Sequence, residues 1–170
     1  ECQRIGVKSL ALTDHLNTLD RLALHKHIRD DLEAAETDLE VFFGVELNYT
    51  GLDQGFAYSE AVRDEMGFQF AIGGIHSTYL DAYDPKELIE IQHRHHIKTC
   101  EDPLVQVLVH PYWFSSGEFE RKRFPWFDSL RLVPDAYVRE LGQASRDTGT
   151  AIEINACANL VNPRYSADYV

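Results

Sequence analysis

A chain of 170 residues is long enough to form one domain with a substantial core. Its 44% hydrophobic and 26% charged residues are ordinary for a globular protein, and no apolar run reaches the roughly 20 residues of a membrane span. A formal net charge of −12, with one short basic run at Arg121-Lys122-Arg123, argues against a nucleic-acid binder, which needs a basic face to displace counterions.

Taken in chain order, the first element is an apolar, β-rich run over Ser9 to Thr13. A cap at Asn17 or Thr18 then precedes Leu24, Ile28, Leu32 and Ala35, which recur at helical spacing. Val41 to Val45 predicts the second strand, Phe56 to Met66 a weaker helix and Phe70 to Ile75 the third strand. Asp84-Pro85-Lys86-Glu87 reads as a cap, a proline in the first helical position and an acid in the first turn. Val105 to Val109 is the fourth strand, and the aperiodic stretch from Tyr112 to Asp128 reads as a long loop. Pro134 and Asp135 open a helix to Asp147 that Gly149 ends, and Ala151 to Ile154 predicts the fifth strand.

The strands start about 30 to 45 residues apart with helical signals between them, which implies right-handed βα crossovers and a parallel sheet. Periodicity does not separate a closed barrel from an open sheet. With no linker or repeat, residues 1–170 read as a single domain. Cys2, Cys100 and Cys157 are odd in number and lack a CxxC pair, so a cytoplasmic protein without disulfides is expected.

The chemistry lies at the strand ends. Thr13-Asp14-His15 closes the first, Glu46 follows Val45, His76 follows Ile75 and His110 follows Val109. In parallel α/β folds the carboxyl ends of the strands meet on one face, where active sites are built. Four imidazole or carboxylate groups would therefore converge, and such a set without cysteine suits zinc, iron or manganese. Taken alone, His110, followed by Pro111, reads equally as a hydrogen-bonded packing residue, whereas the four positions together favour a metal site. Asp14 either orients a ligand or caps the following helix, and Glu153 and Asn155 either line the site or pair within the core. His25 and His27 read as a solvated helix surface, and His93, His95 and His96 as a polar helix end rather than a second metal site. Cys157 reads as structural, and the basic run at 121–123 as a solvated charge cluster that could touch substrate phosphate.

The runs Leu10-Ala11-Leu12-Thr13-Asp14-His15, Gly44-Val45-Glu46, Ile72-Gly73-Gly74-Ile75-His76, Val107-Leu108-Val109-His110-Pro111 and Ile152-Glu153-Ile154-Asn155 together resemble the ordered motifs of the PHP (polymerase and histidinol phosphatase) superfamily. The resemblance implies a distorted, TIM-like (β/α)7 barrel, here a partial one of about five βα units, with up to three divalent metals. It implies that Glu46 bridges two metals, that His76 and His110 share one of them, and that His15 binds the third. It implies hydrolysis of a phosphomonoester or phosphodiester by metal-activated water, on a small phosphorylated substrate. The family's first-strand His-x-His and late Asp-x-His have no counterpart between Glu1 and Val170. The expectation is thus a central portion truncated at both ends, one metal at high occupancy, weak catalysis by this segment alone, and exposed strand edges that favour a homo-oligomer. Two alternatives stay open: a structural or regulatory module with an incomplete metal centre, and a polymerase-associated exonuclease module, which the acidity disfavours. Trp113, Phe114 and Trp126 lie in the stretch expected to set selectivity.

Overall fold

Apolar runs interrupted by single polar residues make strands with one face for helices and another for chemistry. In the computed structural model, which describes residues 2–113, 116–125 and 130–154, five such strands form one parallel sheet. They are β1 (Ser9–Leu16), β2 (Glu40–Asn48), β3 (Phe70–Gly74), β4 (Val107–Leu108) and β5 (Ala151–Ile152), hydrogen-bonded in that order. The helices between them are α1 (Leu22–Ala34), α2 (Glu60–Met66), α3 (Pro85–Glu101), α4 (Ser116–Lys122) and α5 (Asp135–Thr148). Among the described residues β1 and β5 each pair on one side only. No helix among these residues is long and apolar enough to cross a membrane. Phe114, Trp126, Asn155 and Cys157 lie outside the described residues.

Register assigns the two faces. Leu16, Leu47, Gly73 and Leu108 align across four strands and, with Phe43, Val45 and Ala71, face the helices. There Leu16, Phe43, Val45, Leu47 and Ala71 pack with Leu22, Ile28 and Leu32 of α1 and with Met66 of α2. His15, Glu46, Ile72 and Val107 align on the opposite face. A second core joins Leu88, Ile89 and Ile91 of α3 to Leu141 of α5 and Phe119 of α4.

Local signals place most helix ends. The Asp84 carboxylate accepts the N–H groups of Lys86 and Glu87 at 2.9 and 3.2 Å, and Pro85 occupies a position where no N–H is needed. Gly149 ends α5 at φ +78°, a conformation that costs a residue with a Cβ. Thr18 precedes a 3₁₀ turn over Leu19–Arg21, but its hydroxyl donates to the Asp20 carboxylate and caps no backbone N–H.

Two expectations are corrected. The stretch from Tyr112 to Asp128 contains a helix, α4, where a loop was expected. Long-range contacts stabilise it: Phe119 is buried, and the Glu118 carboxylate accepts the backbone N–H and hydroxyl of Thr78 at 3.0 to 3.1 Å. The second correction concerns histidines. His25 is fully buried rather than solvated, donating Nε2–H to the His15 carbonyl at 3.3 Å, whereas His27 is exposed. His93, His95 and His96 are likewise buried, each with a ring nitrogen engaged, and do not form a polar helix end.

Candidate metal centre

Strand register brings the first two candidate residues together. His15 and Glu46 are partners in the β1–β2 ladder, so their side chains leave the sheet on the same face. His76 and His110 follow β3 and β4 at the same end of the sheet. The result centres on one carboxylate oxygen. Glu46 Oε1 lies 3.1 Å from His76 Nε2, 3.6 Å from His110 Nε2 and 3.7 Å from His15 Nδ1. The Nε2 atoms of His76 and His110 are 2.8 Å apart. His15, Glu46 and His76 form a set that could hold a metal, with ligand atoms all within 4.8 Å of one another.

Burial by itself pushes the Glu46 carboxyl up. Hydrogen bonds from His110 and His76, with the charge of the His15 and His76 rings, outweigh it and hold the group down at about 2. Glu46 is therefore ionised throughout the neutral range, as a ligand must be. The side chain of Asn48, two residues further on the same face of β2, accepts the backbone N–H of His76 at 3.0 Å. Glu153 does the same for His110, with Oε2 2.7 Å from its backbone nitrogen. Asn48 was missed in the sequence, although alternation from Glu46 points to it.

The turn after β4 is unusual. His110 and Tyr112 both have positive φ, 35° and 56°, which is rare for residues that carry a Cβ. The His110 ring rests against Gly74. A Cβ there would meet Val109 Cγ2 at 2.9 Å and His110 Cε1 at 3.0 Å, so the glycine makes room for the imidazole. Trp113 lies beside His110 with ring centroids 5.5 Å apart.

Asp14 does not join the cluster. Its Oδ1 accepts the backbone N–H of His15 at 3.0 Å, and in the ladder it pairs with Val45 on the opposite face. Of the basic run, Arg121 lines the same cleft of about 550 Å³ as His15, Glu46, His76, His110 and Trp113. Lys122 instead turns inward, donating to the Leu80 carbonyl at 2.7 Å and to the Thr78 hydroxyl at 3.0 Å. A larger hollow of about 670 Å³ between α5 and β5 is mostly apolar and offers no converging ligand set among the described residues.

Three imidazole nitrogens and a carboxylate oxygen thus face one another across a partly open cleft. Two bare nitrogens at 2.8 Å repel unless a proton or a cation lies between them. The residues present fit a divalent cation, and a nitrogen and oxygen donor set without sulfur suits zinc, iron or manganese. Among known families, the PHP domain matches residues 1–156 of the chain. No curated protein matches it.

Proposed function

The chain belongs to the PHP domain family, and from that premise we propose that it is a metal-dependent hydrolase of phosphate esters whose sheet is an arc of a distorted (β/α)7 barrel. The family is in general one of metal-dependent hydrolases. Support for the barrel comes from five parallel strands paired in strictly sequential order, the order that successive crossovers in a closed barrel produce. The observation that carries the hydrolase reading is the convergence of three imidazoles on Glu46 Oε1 at 3.1 to 3.7 Å.

In this reading His15, Glu46, His76 and His110 hold the cations. When bound, divalent cations polarise a phosphoryl oxygen and make water nucleophilic near neutral pH. The chain's own groups do the rest. Glu46 stays anionic and so offers charge without a competing proton. Asn48 and Glu153 fix the backbone of His76 and His110, so the two rings need little rearrangement on binding. Arg121, on the wall of the cleft, supplies a cationic side chain for the substrate phosphate. Trp113 offers a flat apolar surface beside it, suited to a small phosphorylated molecule with a ring.

Elemental analysis of the purified protein beside a His76→Ala, His110→Ala double variant tests this, paired with hydrolysis of p-nitrophenyl phosphate and its bis ester. Zinc, iron or manganese bound by the wild type and lost in the variant, with ester hydrolysis that follows the metal, is the expected result. A wild type that takes up no metal after reconstitution would sink the proposal.

A further inference from the structure

The run His93-Arg94-His95-His96 on α3 has no part in the chemistry above, yet three of its imidazoles are buried. His96 is wholly buried, and its Nε2 accepts the backbone N–H of Tyr112 at 3.0 Å. One turn earlier, His93 Nδ1 lies 2.9 Å from the Tyr112 hydroxyl and its Nε2 lies 3.1 Å from Glu140 Oε2. The His93 ring also stacks on Tyr137, 4.0 Å between centroids and 4° from parallel. Both histidines thus hold one residue, Tyr112, from two sides.

Tyr112 stands two positions after His110, and the residue between them, Pro111, has no N–H to give. Among the described residues the turn is closed by a hydrogen bond from Trp113 N–H to the His110 carbonyl at 3.1 Å. Its two positive-φ residues therefore depend on groups outside it: Glu153 at the His110 nitrogen and His96 at the Tyr112 nitrogen. A leucine would fill the volume of His96 and avoid its buried Nδ1, which has no hydrogen-bond partner. What leucine lacks is an acceptor for the Tyr112 N–H. Among the described residues these rings do not belong to a set that could hold a metal, and His93 Nδ1 and His96 Nε2 are engaged with Tyr112.

We propose that His96, assisted by His93, is a positioning residue for His110: it clamps Tyr112 and so fixes the strained turn that aims the His110 imidazole at Glu46 and His76. This rests on the metal-centre reading above.

Zinc affinity by competition titration and hydrogen exchange at the Tyr112 amide, measured on His96→Leu, His96→Gln and Tyr112→Phe, test the proposal. His96→Leu removes the acceptor and is expected to weaken zinc binding by roughly 10- to 100-fold, the range for groups that orient a ligand. Faster exchange at Tyr112 should accompany it. Gln at 96 places an oxygen near the position of Nε2 and should recover most of both. Tyr112→Phe removes the hydroxyl that meets His93 while keeping the backbone N–H that His96 accepts, and should weaken zinc binding by roughly two- to tenfold. If His96→Leu does not fold, Tyr112→Phe decides alone. Wild-type zinc affinity in Tyr112→Phe, or in folded His96→Leu, would overturn the clamp while leaving the metal centre standing. A wild type that binds no zinc would instead overturn the metal reading, and with it the purpose assigned to the clamp.

Discussion

His15 stands directly opposite Glu46 in the β1–β2 ladder, and its Nδ1 lies 3.7 Å from the Glu46 carboxylate. A parallel register alone places them side by side, because partners in such a ladder share a face. The same carboxylate oxygen also meets His76 and His110, so it is the hub of the cluster. Glu46→Gln should therefore lower zinc affinity by roughly 100-fold or more, and His15→Ala, which removes one partner, by less. Calorimetric titration of both variants checks the order. Equal losses would show that Glu46 is not the hub.

Gly74 gives the His110 ring its space. Gly74→Ala places a methyl 2.9 Å from Val109 Cγ2 and 3.0 Å from His110 Cε1. One or both must move, at a cost of about 1–3 kcal/mol. The expected outcome is a lower melting temperature together with weaker metal uptake. Unaltered stability and uptake would mean that the ring has other room.

Adjacent basic residues should behave differently. Lys122 satisfies Thr78, Leu80 and the buried Glu118, so Lys122→Ala is expected to lose about 1–3 kcal/mol of stability, seen in urea unfolding. Arg121 is exposed on the cleft wall, so Arg121→Ala should leave stability within about 0.5 kcal/mol and weaken inhibition by inorganic phosphate several-fold. Matching stability losses in both variants would contradict this division.

Acid should weaken the fold before carboxylates titrate. Burial lowers the pKa of His25 and His95, and that of His96 well below 6.5. Each then binds a proton more readily unfolded than folded, so the stability it contributes is present above about 6.5 and is lost as pH falls below that value. A wholly buried imidazole such as His96 sets a slope approaching 1.4 kcal/mol per pH unit at most, about one proton's worth. Glu46, held down at about 2, adds a further loss only as pH falls below about 4.5. Urea unfolding at pH 7.5 and 5.5 should show the first effect. A flat profile between them would mean that these imidazoles find water or acceptors on protonation.

Much of this protein was determined by local sequence. Five apolar runs became the five strands, Asp84-Pro85 began α3 and Gly149 ended α5, because capping and strand burial rest on residues close in the chain. The types and order of His15, Glu46, His76 and His110 at strand ends were likewise visible, since parallel topology sends those ends to one face. Tertiary structure decided the rest. It gathered His15, His76 and His110 around one oxygen of Glu46, turned Asp14 to the backbone and the other face, and separated Arg121 from Lys122. It made buried partners of His25, His93, His95 and His96, and a helix of residues 116–122. Apart from Asp14, which bonds its neighbour His15, the deciding contact joins groups distant in the chain, such as Glu118 with Thr78 or His96 with Tyr112. Periodicity reports which way a side chain points, and packing alone supplies what it meets there.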